Sequence, residues 1–169
     1  MHIIKRLVLG FVFGGMVFGV ALAQPEVEKT WGDWSKICTP PAEGQEGDEI
    51  CSISQTATMN EGGLRLLETT IRYVEGNEKP VMFVLVPLEL GLYLPRGLTV
   101  TVDDLDPVTI ALQRCTVKGC IAVLAMEENL VEAFRKAEQA QIVFFIDVNQ
   151  SRNLPVSLDG FTRAFRSLQ

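Results

Sequence analysis

Histidine is nearly missing from this chain, the single residue being His2 at the start. Beyond that position no Ser-His-Asp or Cys-His mechanism can operate, and no histidine metal site can form. Walker motifs, a G-x-G-x-x-G following a strand and a G-x-S-x-G elbow are also absent. Positive charge is in short supply, with 15 Lys+Arg against 21 Asp+Glu. The longest uncharged apolar run, Leu7 to Leu22, is 16 residues, short of the roughly 20 that a membrane-spanning helix needs.

That run is instead expected to be the core of an export signal. Lys5 and Arg6 precede it, and Ala21-Leu22-Ala23 offers the small-x-small pattern of a cleavage site between Ala23 and Gln24. Residues 1–23 are therefore expected to be removed, 24–30 to form a mobile polar leader, and 31–169 to fold as a single domain. Removing Lys5 and Arg6 takes Lys+Arg from 15 to 13 against 21 acids, a net charge of −8. Such an acidic chain lacks the clustered Lys/Arg that nucleic acid requires. It also argues against docking on an anionic membrane by charge. Membrane association stays open, though not through a transmembrane helix in the processed chain.

Four cysteines in an exported chain point to two disulfides. Three connectivities are possible, and spacing favours Cys38 with Cys51 and Cys115 with Cys120. In Cys115-Thr-Val-Lys-Gly-Cys120, Gly119 can take a positive φ in a hairpin turn whose facing positions suit a bond. Zinc and redox chemistry fit less well, because C-x12-C and C-x4-C match neither the short zinc knuckle nor C-x-x-C.

The pattern of the chain is mostly that of strands. Ile50–Thr58, Arg65–Val74, Val81–Val86 and Ile121–Ala125 read as strands, with Met59–Gly63 and Glu75–Glu78 as turns. In Pro87–Cys120, Leu88, Leu90, Leu92 and Leu94 alternate with Glu89, Gly91, Tyr93 and Pro95, which predicts a half-buried strand. Leu98, Val100 and Val102 repeat the alternation, and Val108–Leu112 leads into the cysteine hairpin. Val81–Val86 and Ile142–Ile146 carry no polar residue and predict interior strands. Trp31 and Trp34, three residues apart, would point to opposite faces of one strand, one in the core and one at the rim.

Helical spacing appears twice. Met126, Leu130, Ala133, Phe134 and Ala137 form one stripe, with Glu127 and Glu128 at its start and Arg135 and Lys136 near its end. After a turn at Asn149–Asn153 and an extended Leu154–Ser157, Asp159 is placed to cap a last helix. Its stripe is Phe161, Ala164, Phe165 and Leu168. The fold expected is mainly β, a sandwich with one internal helix and a short C-terminal helix.

Two acidic stretches invite a chemical reading. Glu43, Glu46, Asp48 and Glu49 lack the ordered spacing of a calcium loop and read as part of a solvated loop. Asp103, Asp104 and Asp106, ending at Pro107, read as a turn, with a carboxylate site as the alternative. A carboxylate-pair hydrolase or a Ser-Lys enzyme is not excluded in principle, but nothing marks one.

The ordered set of landmarks resembles the invasion-associated locus B family of exported bacterial proteins. It comprises Trp31-Gly-Asp-Trp34, Cys38, Cys51 with Gln55, the Pro87…Leu90-Gly91-Leu92…Leu94-Pro95…Gly97 stretch, Cys115…Gly119-Cys120, and the closing Pro155 to Ala164 segment. The resemblance implies an immunoglobulin-like β-sandwich and a periplasmic, outer-membrane-associated or secreted location in alphaproteobacteria. It brings no catalytic residues and no cofactor, because the shared positions are architectural. The expectation is a non-catalytic interaction module with a protein partner in the envelope or the host. Its candidate contact residues are Trp31, Trp34, Tyr93 and Arg96, along with sheet edges. The alternative is a periplasmic enzyme or chaperone using the Asp103, Asp104 and Asp106 carboxylates.

Overall fold

The computed structural model describes residues 27–41, 44, 47–58, 63 and 65–169. The expected signal, its Ala23/Gln24 cleavage site, leader residues 24–26, Glu43, Glu46 and most of the Met59–Gly63 turn lie outside the described residues. Two antiparallel sheets form a sandwich. The larger, seven-stranded sheet has the order β1-β2-β3-β4-β5-β9-β8. Its members are β1 (Val27–Trp31), β2 (Trp34–Thr39), β3 (Ile50–Thr58), β4 (Arg65–Arg72), β5 (Val81–Val86), β8 (Leu112–Thr116) and β9 (Gly119–Ala125). The smaller, four-stranded sheet has the order β11-β10-β6-β7, formed by β6 (Leu98–Thr101), β7 (Val108–Ile110), β10 (Gln139–Asp147) and β11 (Gln150–Ser157). Helix α1 (Glu128–Lys136) joins β9 to β10, and α2 (Phe161–Arg166) closes the chain.

Period-2 patterning sets which face of each strand is buried. Leu67, Thr69 and Ile71 of β4 point inward, as do Leu98, Val100 and Val102 along and just past β6. The apolar strands β5 and β10 both lie inside their sheets, β5 between β4 and β9 and β10 between β11 and β6. Their continuous apolar runs fit that position, where neighbours flank both edges.

The helices complete the core with aromatic rings. Phe161 of α2 meets Trp34 edge-on at 5.3 Å and Phe134 of α1 at 5.4 Å, and all three are buried. Each such contact contributes about 0.5–1.5 kcal/mol beyond the area it buries. The α1 stripe includes Val131 as well as Leu130 and Phe134.

Several expectations need correcting. The Leu88–Leu94 alternation does not form a strand. It folds into two single 3-10 turns, Leu88–Leu90 and Leu94–Arg96, closed by Gly91 N–H to Leu88 O at 3.0 Å and Gly97 N–H to Leu94 O at 3.1 Å. Pro87 and Pro95 have no N–H to give a ladder, so turns satisfy the backbone where a strand could not. Val27–Thr30, expected in a mobile leader, instead belong to an edge strand, Val27–Trp31, that pairs with β2. Trp31 and Trp34 do not share a strand. They face each other across the two-residue Gly32-Asp33 turn, which returns the chain on itself.

The last three corrections concern connections. Val108–Leu112 breaks at Ala111, where the chain passes from the smaller sheet to the larger. Strand β11 begins at Gln150, inside the stretch expected to turn. Asp159 does not cap α2, whose N-cap is Gly160 at φ 82°. A Cβ on Gly160 would lie 1.8 Å from the Trp31 carbonyl oxygen, so only glycine lets the β1–β2 turn approach the helix start.

Candidate interaction surface

Both sheets finish together at one end of the sandwich. Val86, the last residue of β5, pairs with Cys120 near the start of β9. In the other sheet Leu98 pairs with Phe144 and with Ile110. From Ile110 the chain needs only Ala111 to reach β8. The β8–β9 hairpin, the Pro87–Gly97 loop and the β10–β11 turn therefore share this end.

The hairpin and the Pro87–Gly97 loop are each held by specific contacts. Cys115 and Cys120 are bonded across the β8–β9 hairpin. Gly119 sits at φ 142°, and a Cβ there would be 2.4 Å from the Val86 carbonyl oxygen, so the hairpin lies directly against the end of β5. The Tyr93 N–H donates to the Phe145 carbonyl at 2.7 Å. The Arg96 guanidinium lies 4.1 Å from the Phe145 ring centroid, a cation–π contact that fastens the second 3-10 turn to β10.

This end carries exposed apolar side chains. Leu88, Leu94 and Val148 are 47%, 49% and 48% exposed, and Val117, at the hairpin tip, is 94% exposed. Among the described residues, the other large apolar side chains this open are Val27 and Ile50. Sequence reasoning passed over these tips, although Val117 in Cys-Thr-Val-Lys-Gly-Cys and Val148 between Asp147 and Asn149 are apolar residues placed in turns, where packing cannot hide them.

The structure places the four candidate contact residues differently. Trp34 is 0% exposed, and its Nε1 donates to the Ser157 carbonyl at 2.9 Å. It is a core residue. Trp31 is half-buried beside Lys29, at the end of β11 marked by Ser157, which pairs with Gln139. Tyr93 and Arg96 sit by Phe145, at the far end of β10. The six residue steps from Gln139 to Phe145 correspond to about 20 Å along the strand. Tyr93 and Arg96 belong to the loop end, and Trp31 does not.

The acidic candidates are exposed. Asp103, Asp104 and Asp106 are all exposed in a turn closed by Leu105 N–H to Val102 O at 3.0 Å. Cys38, Glu49 and Cys51 lie within metal-binding distance of one another, but Cys38 and Cys51 are bonded to each other and are not thiolate donors. A groove beside this disulfide is lined by Pro40, Ile50, Arg72, Tyr73 and Leu168. Arg72 there stacks on Phe83 at 5.1 Å, and Gln169 Nε2 donates to the Tyr73 hydroxyl at 3.4 Å.

Comparison with known proteins agrees with this architecture. The solved structure of invasion associated protein B from Bartonella henselae superposes with a TM-score of 0.68 at 22% identity, covering 83% of this chain and 92% of that one. An invasion protein B homolog of Brucella abortus (strain 2308) is 24% identical over 144 residues, 85% of this chain and 79% of its own length. A homolog from Brucella abortus biovar 1 (strain 9-941) matches equally. The family model for invasion associated locus B (IalB) protein matches residues 34–169. The chain belongs to the invasion associated locus B family.

Proposed function

We propose that this protein is an exported envelope or surface protein that acts by binding, as a non-catalytic interaction module. One observation carries the binding part. Four exposed apolar side chains, Leu88, Leu94, Val117 and Val148, stand on loops at one end of a rigid sandwich, beside Tyr93 and Arg96. Loops positioned by a rigid scaffold are where binding residues concentrate. Export is supported by the two disulfides, which persist in oxidising compartments. The relatives are named for invasion, so contact with a host cell or upkeep of the envelope is the role this reading favours.

The test is site-specific photo-crosslinking in the native envelope, with the reactive residue placed at Val117 or Leu94 and, for comparison, at Glu78 or Asp104. Discrete adducts from the first pair and none from the second are expected. Adducts from neither pair, together with turnover in a hydrolase screen that is lost on Asp103→Asn, would replace this reading with the enzyme.

A further inference from the structure

Net charge conceals how the charges are arranged. The acids Glu75, Glu78, Asp103, Asp104, Asp106 and Glu128 all lie at the end of the sandwich away from the loops. They occupy the β4–β5 and β6–β7 connections and the start of α1. At the loop end, Arg65 and Glu68 pair with each other at 3.0 Å. Arg96, Arg114, Lys118 and Arg152 are exposed there, and among the described residues none of them is in an ion pair. The described acids beside them are Glu89 and Asp147. Among the described residues the loop end is thus basic, with four unpaired cations beside two acids, on an acidic protein.

We propose that this end docks on a bilayer surface carrying anionic phospholipid, with Val117, Leu94, Leu88 and Val148 entering the headgroup boundary. Arg96, Arg114, Lys118 and Arg152 then meet the phosphates. This rests on the reading that the protein acts by binding, and it names what the loop end binds. The four apolar residues are distributed over three loops, Leu88 and Leu94 on one and Val117 and Val148 on one each. A protein partner is gripped by a contiguous desolvated anchor. A fluid interface admits scattered apolar tips, provided cations at headgroup depth meet its charge. The exposed Val117-Lys118 pair at the hairpin tip has both parts in adjacent residues. Overall acidity does not oppose this docking, because net charge carries no positions and the strand order places the cations at the loop end.

Vesicle flotation of the oxidised, exported protein tests the proposal. Phosphatidylcholine–phosphatidylglycerol vesicles would be compared with phosphatidylcholine alone. Binding should require phosphatidylglycerol and weaken as salt rises from about 0.1 M to about 1 M, over which the screening length falls from about 10 Å to about 3 Å. Arg114→Glu and Lys118→Glu should each lower the bound-to-free ratio about fivefold or more. Val117→Asp should lower it about tenfold, with the fold intact because the side chain is 94% exposed. Glu78→Lys, at the acidic end, should leave it unchanged. Absence of binding to the anionic vesicles overturns the proposal, as does an equal loss in Glu78→Lys. Protein adducts at Val117 without vesicle binding also overturn it, while leaving the interaction-module reading in place.

Discussion

The indole N–H of Trp34, at the start of β2, donates to the carbonyl of Ser157, at the end of β11, across 2.9 Å and 123 residues of sequence. This bond joins the larger sheet to the smaller one where α2 begins. Trp34→Phe keeps an aromatic ring but loses the bond and leaves a small void, a cost of about 2 kcal/mol. Trp34→Ala should cost about 3–5 kcal/mol. Urea denaturation of the oxidised protein measures both, and a negligible change in Trp34→Phe would show that the bond adds nothing to stability.

Two glycines with similar backbone angles should respond differently to alanine. Gly160 has φ 82° and a Cβ position 1.8 Å from the Trp31 carbonyl, while Gly76 has φ 77° with nothing within 4 Å. Gly76→Ala bears only the left-handed strain, about 1–2 kcal/mol. Gly160→Ala adds a backbone collision and should lose a further 1–3 kcal/mol or about that. Equal midpoints in a denaturant series would contradict the close approach of the β1–β2 turn to α2.

Reduction should weaken the fold in two unequal steps. The Cys38–Cys51 bond closes 13 residues of separation and the Cys115–Cys120 bond closes 5. Loop-closure entropy assigns about 3 kcal/mol to the first and about 2 kcal/mol to the second. Paired Cys→Ser variants, unfolded separately and together, should lose stability in that order.

The start of α1 leaves room for improvement. Glu127 holds the N-cap position without a side-chain cap hydrogen bond, and reaches Lys79 at 2.7 Å in an exposed pair. Such a pair is worth about 0–1 kcal/mol, and a serine cap contributes about 1 kcal/mol. Glu127→Ser should therefore raise stability by about 0.5 kcal/mol, whereas Glu127→Ala should not. A drop in the serine variant would mean that the ion pair matters more than its exposure suggests.

Local pattern was enough to place much of this molecule. The alternation in Arg65–Arg72, the apolar runs Val81–Val86 and Ile142–Ile146, and the helical stripes around Phe134 and Phe161 each follow from side chains that must reach one core. Cysteine spacing favoured the pairing that the structure has, because both bonds join facing residues of adjacent strands. Tertiary structure alone decided the rest. Leu88–Leu94 has a strand's alternation but a turn's prolines, and the turns prevailed because the backbone must find hydrogen bonds somewhere. Trp31 and Trp34 look alike in sequence, but it is the Trp34 ring that meets Phe161 and bonds the Ser157 carbonyl, partners more than a hundred residues away. The basic, apolar loop end was least legible of all. Leu88, Arg114, Val117 and Val148 belong to distant segments, and only the order in which strands pair brings them to one face.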